Sequence, residues 1–397
     1  MDKVSAEWLV SPAAAPALEQ AASFPDPRSL AAGTAMRQRW SLEQSAAALT
    51  QVALRRKASA KFGELAKRLF FTSDGLQQAT RKTVADWRAG RFQALGVRAV
   101  ADLGCGIAAD SMAFARAGLR VRAVDADPVT AVFAAANLRA ASPNADAEVV
   151  CATAQDAVMP PTAPDEAIFL DPARRTASGR SWRLDDLSPS WEFCLGAIRD
   201  RPGCVKAGPG LEHSLIPDDL GAVWVSESGE LVELCLWSGD PAHPSGSRTA
   251  LLLPAGEELP ITAGTASPRL GGKPRYLYEP DPAVIRSGGL AAVAELVSGW
   301  PLRVGIGYIA SAELVRTSFA TAFTVLAELA FDERVLRSWV KANDIGVLEI
   351  KTRGLGVDPA TLRRRLRPKG SNPATLVLSP TEDGARAFVV QRPFQNR

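Results

Sequence analysis

The segment that most constrains this chain is Val100–Ser111, VADLGCGIAADS. An apolar run ends in Asp102-x-Gly104-x-Gly106 and passes into a helix-forming stretch. The glycines allow a tight turn and let the backbone approach a ligand closely. The helix that follows offers unpaired N–H groups beside that ligand. Gly104-x-Gly106-x-x-Ala109 also satisfies the loose dinucleotide fingerprint. Asp102 separates the two readings, because a pyrophosphate does not favour a carboxylate there. The cationic amino group of S-adenosylmethionine does, directly or through water. The plainer alternative is a βα turn built from small residues.

The surroundings of the loop agree with an α/β sheet. Strands are expected at Ala99–Leu103, Arg120–Val124, Ala147–Cys151, Ala167–Leu170 and Cys204–Lys206, with helices at Ala108–Ala117, Pro128–Ala140 and Leu187–Arg199. Strands alternating with helices give βαβ units and a parallel sheet. Ala222–Glu227 and Leu231–Trp237, joined at Ser228-Gly229, read as a hairpin, and Thr249–Leu253 as a further strand. Residues 1–92 read as helical, with Asp74-Gly75 as a break. The Gly-, Pro- and Ser-rich stretch Ala263–Pro274 reads as a boundary. Beyond it we expect helices at Ala312–Leu329, Asp332–Val340 and Pro359–Arg367, and strands at Val347–Lys351, Thr375–Leu378 and Ala387–Gln391. The chain therefore divides into a helical region 1–92, a doubly wound α/β domain 93–265 and a small α+β domain 266–397.

Three more acids fall at the ends of the expected strands. Asp125 lies 19 residues after Gly106, where a carboxylate can accept both ribose hydroxyls or cap the next helix. Its neighbour Asp127, before Pro128, reads as the N-cap of that helix. Asp156, after the third strand, can accept from an adenine amino group or be a solvated loop acid. The run AIFLDPARRT, Ala167–Thr176, delivers Asp171-Pro172 to the carboxyl end of the sheet. Arg174 and Arg175 can contact phosphate, stack on a base or pair within the domain. Lys206 and Glu212 follow the fifth strand and are weaker candidates for the rim of a pocket; Tyr278, Glu279 and Asp281 in YLYEPDP read as an acidic-aromatic turn that could close over it, with a plain turn as the stronger reading.

These residues together resemble the class I S-adenosylmethionine-dependent methyltransferases across Val97–Pro254. The resemblance carries Asp102, Gly104 and Gly106 onto the cofactor loop, Asp125 onto the ribose acid, Asp156 onto the adenine contact and Asp171-Pro172 onto the catalytic loop. The whole chain also resembles an actinobacterial group of such enzymes with a THUMP-like C-terminal domain, through DPARRT, YEPDPAVIRSG at Tyr278–Gly288 and a basic α+β tail. Asp171-Pro172-Ala173-Arg174 is similar to the DPPR variant of RNA methyltransferases, but it lacks the second proline and the aromatic residue, which leaves the target atom open. Some DPPR relatives use a cysteine nucleophile. Cys204 is the nearest candidate here, and a buried structural cysteine is the stronger reading.

Composition narrows the remaining classes. The five cysteines lack metal-ligand spacing, and only His213 and His243 are present, so no metal site is expected. No run reaches the roughly 18 apolar residues of a membrane span. The N-terminus lacks a secretory pattern, which points to the cytoplasm. A net charge of +3 does not identify a nucleic-acid binder. Its distribution says more: Lys351–Lys369 holds seven basic residues against Asp358 alone. Arg363, Arg364 and Arg367 are candidate phosphate contacts, with a solvated helix as the alternative. THUMP domains bind RNA, so the resemblance implies methyl transfer to an RNA base. A small-molecule or protein methyltransferase and a non-catalytic nucleic-acid-binding protein stand as alternatives, with a dehydrogenase further off.

Overall fold

The computed structural model describes residues 1–158, 165–174, 184–262 and 271–393. Contacts divide the chain into two compact units. One comprises Met1–Ala222 with Glu233–Gly246, the other Val223–Val232 with Ser247–Arg397.

Strands β1 (Ala99–Leu103), β2 (Arg120–Asp125), β3 (Ala147–Cys151), β4 (Glu166–Leu170), β5 (Gly203–Ala207), β6 (Gly221–Glu227), β7 (Glu230–Ser238), β8 (Arg248–Leu253) and β9 (Glu257–Ile261) form one sheet in the order β9-β8-β6-β7-β5-β4-β1-β2-β3. β1 to β5 run parallel, and β7 lies antiparallel to β5. The β6–β7 turn is made by Ser228 and Gly229, both at positive φ (53° and 81°), the geometry of a type I′ hairpin.

The N-terminal region folds as α1 (Lys3–Val10), α2 (Ala15–Ser23), α3 (Leu30–Met36), α4 (Leu42–Phe62), α5 (Ser73–Gln78) and α6 (Lys82–Ala94). Asp74-Gly75 is not a break. Both residues lie in the first turn of α5, whose N-cap Thr72 accepts from Gly75 N. The long helix ends instead at Gly63, at φ +56°. Helices α7 (Ala109–Arg116), α8 (Pro128–Ala141), α9 (Ala154–Ala157) and α10 (Trp191–Arg199) follow the strands. Asp127 caps α8 by accepting from Thr130 N at 2.7 Å. The expected helix from Leu187 starts only at Trp191, capped by Ser190, because Leu187–Ser188 pairs as a short strand with Ala173–Arg174.

The N-terminal helices pack on the sheet domain. Ala6, Leu9 and Ala47 share a buried cluster with Val129 and Phe133 of α8. Phe92 of α6 meets Phe114 of α7, which meets Phe169 of β4, each pair at 5.6 Å between ring centres. Beside them Arg88 of α6 is fully buried. Its guanidinium lies 4.5 Å from the Phe169 ring and bridges Asp110 of α7 and Glu233 of β7.

The second unit builds a seven-stranded sheet from β10 (Tyr276–Pro280), β11 (Gly299–Pro301), β12 (Ile309–Ser311), β13 (Ala320–Ala330), β14 (Ile345–Thr352), β15 (Asn372–Thr381) and β16 (Gly384–Gln391), in the order β11-β12-β10-β13-β16-β15-β14. It also contains α11 (Pro282–Ser287), α12 (Leu290–Leu296), α13 (Glu333–Ala342) and α14 (Pro359–Leu366). Leu336, Val340, Leu362 and Leu366 of α13 and α14 cover Leu348, Ile350, Leu376 and Leu378 on one face. Leu277, Tyr308, Phe323, Val377 and Phe388 fill the other. The helix expected over Ala312–Leu329 is absent: residues 312–319 are irregular, and from Ala320 the chain forms strand β13. Its Ala, Leu and Glu residues favour a helix, but Thr321, Phe323 and Val325 fit a sheet, and pairing to β10 and β16 decides between them. YLYEP is likewise a strand, β10, and not a turn. Its Tyr278 is buried, and the following Asp281 caps α11. Residues 263–270 of the expected boundary lie outside the described residues.

Removing a buried cation leaves its partner carboxylates buried and uncompensated, and breaking a buried ion pair in this way costs about 3–5 kcal/mol. Arg88→Met is therefore expected to lower the unfolding free energy in urea by roughly that amount. A loss below about 1 kcal/mol, the scale of an exposed pair, would show that the bridge is not a buried keystone.

Candidate cofactor and catalytic site

The register of the parallel strands assembles the site. Val124, Leu103, Leu170 and Val205 are partners across β2, β1, β4 and β5. The next residue of each strand is therefore delivered to the same edge of the sheet. These residues are Asp125, Gly104, Asp171 and Lys206. This is the carboxyl edge, where ligands of open parallel sheets bind.

Gly104 and Gly106 have φ of +95° and +55°. A Cβ on Gly104 would stand 3.3 Å from the Asp171 carbonyl oxygen, so the glycine turn and the Asp171 loop abut through their backbones. Gly104 N and Cys105 N both donate to Val124 O, at 2.8 and 2.9 Å. Gly106 N donates to Asp125 Oδ2 at 3.0 Å, and Asp125 Oδ1 accepts from Asp127 N at 2.9 Å. Asp125 thus ties the end of β2 to the glycine turn. Burial raises its pKa against these two hydrogen bonds. Asn137 of α8 holds the loop from behind, donating to Ile107 O at 3.0 Å and to Phe70 O at 2.9 Å.

Asp102 lies beneath this turn and is fully buried. Ser111 donates to its Oδ2, while Oδ1 has no hydrogen-bond partner among the described residues. Burial, then the charge of Asp110, push its carboxyl up to about 8. Asp156 is exposed in the one-turn α9, where Thr153 donates to its Oδ2 at 2.7 Å. Asp171 is partly exposed, its side chain at 32%, and Pro172 follows it out of the sheet. Burial raises the Asp171 pKa, and the neighbouring ammonium of Lys206 opposes the rise. Arg175 lies outside the described residues, and Arg174 is placed by its backbone in the short strand pair.

Sequence reading missed most of the polar network behind Asp171. Lys206 Nζ donates to Asp171 Oδ2 at 2.6 Å and to Thr80 Oγ1 at 3.1 Å. Thr80 donates to Asp110 Oδ2 at 2.6 Å, and Asp110 joins the Arg88 bridge. Thr80 and Arg88 sit in a region whose sequence shows only helical periodicity, so no local pattern announces them. Cys204 is buried in β5, as a structural cysteine would be. Glu212 is exposed, and Glu279 is spent on Lys351 and Arg353 at 2.8 and 3.4 Å.

In the second unit Arg363, Arg364 and Arg367 are all exposed at α14 and its C-terminal end. Arg363 Nε donates to Leu348 O at 2.7 Å and Arg364 to Thr361 at 3.1 Å. Arg365 faces α13 and pairs with Glu333 at 3.7 Å. Among the described residues no group of three or more His, Cys, Asp or Glu gathers as for a metal ion, and no helix is long and apolar enough to cross a membrane.

Comparison with known proteins decides the family. An uncharacterized S-adenosylmethionine-dependent methyltransferase of Mycobacterium tuberculosis, recorded in strains CDC 1551 and H37Rv, is 34% identical over 352 residues. The match covers 85% of this chain and 93% of that protein. The chain belongs to the S-adenosylmethionine-dependent methyltransferases.

A crystal structure of a proposed methyltransferase from Porphyromonas gingivalis W83 has the same fold. Its TM-score is 0.76 at 20% identity, covering 96% of this chain and 98% of that one. Residues 320–392 match a family described as THUMP domain-like, and residues 2–58 match a domain of unknown function, DUF8688. The cofactor of this methyltransferase is S-adenosylmethionine, and the site fits it. A buried carboxylate oxygen with no partner among the described residues lies under the glycine turn, two side-chain-free positions open that turn, and a carboxylate stands at the end of β2.

The raised pKa of Asp102 has a stability consequence. An unfolded aspartate ionises near pH 3.9, whereas folded Asp102 holds its proton to about 8. Between these values the folded state binds the extra proton, so this residue costs stability progressively as pH rises. Asp102→Asn removes the titration. In the cofactor-free protein its melting temperature is expected to exceed that of wild type by more at pH 8 than at pH 5. A difference that is flat or shrinks with pH would mean that Asp102 is already ionised.

Proposed function

We propose that this methyltransferase acts on RNA and transfers the methyl group to a base. The observation that carries the reading is the THUMP domain-like match at 320–392, which contains the exposed Arg363, Arg364 and Arg367. The THUMP resemblance implies an RNA-binding module, and arginines at a helix end are suited to phosphate oxygens. We retain the division into residues 1–92, 93–265 and 266–397 as a division of tasks: support for the site, methyl transfer and RNA contact. The cytoplasm is the corresponding compartment.

Asp102, Gly104, Gly106, Asp125 and Asp156 form the cofactor site in this reading. Asp102 supplies negative charge beneath the cationic amino group. Asp125 accepts the ribose hydroxyls with its remaining lone pairs, and Asp156 meets the adenine edge. Bound S-adenosylmethionine supplies a methyl group on a sulfonium, which leaves as a neutral thioether. Asp171 faces the substrate, accepts a hydrogen bond from the target group and takes the proton that the group releases on methylation. Pro172 stiffens the loop after it. Arg174 and Arg175 hold the flanking phosphates.

Replacing Arg363, Arg364 and Arg367 together by Ala is expected to weaken RNA binding across sequences and to reduce the salt dependence. Each lost phosphate contact removes roughly 0.7 from the log–log slope on single strands. Arg365→Ala, whose partner is Glu333, is expected to change neither. The measurement is RNA affinity at two salt concentrations, with nucleoside mass spectrometry of RNA from a deletion strain. Equal affinities and slopes for wild type and triple variant, with no nucleoside missing from the strain, would overturn the RNA reading in favour of a small-molecule or protein substrate.

A further inference from the structure

The bond from Lys206 to Asp171 belongs to a chain whose directions are fixed. Thr80 has one hydroxyl proton, and it goes to Asp110 Oδ2 at 2.6 Å. Its oxygen is left to accept from Lys206 at 3.1 Å. The ammonium of Lys206 then turns a second proton to Asp171 Oδ2 at 2.6 Å. Asp171 Oδ1 has no hydrogen-bond partner among the described residues. Thr80 is itself held in place. Lys61 of α4 donates to the carbonyls of Leu76, Gln77 and Ala79 at 2.9, 2.9 and 3.0 Å, fixing the backbone that leads to it. A Cβ on Gly75 in the same segment would stand 2.6 Å from Ile107 Cγ2, so this segment also sits directly on the cofactor loop.

We infer that Lys206, braced by Thr80, is a positioning residue for methyl transfer: it keeps the Asp171 carboxylate ionised and in one orientation, with Oδ1 left for the substrate. The inference rests on the reading of Asp171 as the carboxylate that faces substrate.

The charges around Asp171 make Lys206 necessary for this. Asp102 faces it from β1, Asp110 from α7 and Glu233 from β7, with the thiol of Cys194 on α10. Arg88 of α6 is already shared between Asp110 and Glu233. Lys61 is engaged by three carbonyls. Lys206 is thus the cation in direct contact with Asp171 among the described residues, and its side chain is only 15% exposed. Burial disfavours its charge, but Asp171, Glu233 and Asp110 outweigh burial and raise its pKa. Without it, Asp171 would share a partly buried pocket with other carboxylates and, among the described contacts, no cation bonded to it, a setting that drives a carboxyl to hold its proton. A protonated Asp171 cannot accept the proton released by the target group.

The test titrates Asp171 in the full-length protein labelled with 13C at the aspartate carboxyl carbon, its signal assigned by its loss in Asp171→Asn. The Asp171 midpoint is expected to rise by about 1–3 units in Lys206→Met, the range for loss of an adjacent opposite charge. In Lys206→Arg it is expected to return toward wild type. Thr80→Val, which takes away the brace and keeps the charge, is expected to give a smaller rise and serves if Lys206→Met does not fold. In parallel, methyl incorporation into deletion-strain RNA is expected to fall on the order of 10²-fold in kcat for Lys206→Met at pH 7. The acid limb of its pH profile should move upward, and affinity for S-adenosylhomocysteine should stay within about twofold of wild type. An unchanged midpoint in Lys206→Met, or in Thr80→Val where that variant stands in, overturns the inference. Full activity of Asp171→Asn overturns it through the reading of Asp171. Absence of RNA methylation by wild type, with the midpoint shifted as expected, overturns the RNA substrate and leaves the role of Lys206 standing.

Discussion

The Arg88 guanidinium is fully buried and must be neutralised where it lies, and this requirement organises the first unit. Its two carboxylates come from different elements, Asp110 on α7 and Glu233 on β7, and its flat face rests on Phe169 of β4. A buried ion costs several kcal/mol to desolvate, so the arrangement holds only with both partners present. The bridge therefore fixes α6 against the helix that follows the cofactor loop and against the antiparallel strand beside β5. Thr80, two residues before α6, is carried with it. The strand register delivers Asp171 and Lys206 to the edge, and the Arg88 bridge holds in place Asp110 and, through it, Thr80, which contacts Lys206 from behind.

The carboxyl edge is strongly charged for its degree of burial. Asp102, Asp110, Asp125 and Asp171 converge on a few residues of backbone, with Lys206 and Arg88 as the cations among them. Asp102 answers this crowding by holding its proton in the cofactor-free protein. A site that binds a sulfonium with an amino group gains from such a surplus of carboxylate, because the ligand brings the missing positive charge.

The parallel sheet and its loop were legible because their physics is local. A strand that ends in Asp102-x-Gly104-x-Gly106 needs those glycines for its backbone conformation. Asp127-Pro128 and Asp358-Pro359 start helices for reasons contained within a few residues. Asp125 and Asp171 were legible because apolar runs end at them, and the parallel register then sets them on either side of Gly104. The network of Thr80, Arg88, Asp110 and Glu233 was not legible. Arg88 and Glu233 are 145 residues apart, and each looks like an ordinary surface residue of an amphipathic element. Strand β13 failed for the opposite reason, since its composition favours a helix and only its neighbours in the sheet overrule it. The basic tail was read as a charge cluster, but Lys351, Arg353 and Arg365 prove to be paired internally, which leaves fewer cations to face a partner.

In the proposed site the glycine turn at the end of β1 and the carboxylate at the end of β2 hold the cofactor, with Asp171 on the side where substrate enters. A crystal structure with S-adenosylhomocysteine tests it most directly. The ligand is expected against Gly104 and Gly106, with its ribose hydroxyls within hydrogen-bond distance of Asp125 and its sulfur on the same side of the turn as Asp171. Ligand bound away from this edge, or bound there with Asp125 turned from the ribose and Asp171 remote from the sulfur, would contradict it.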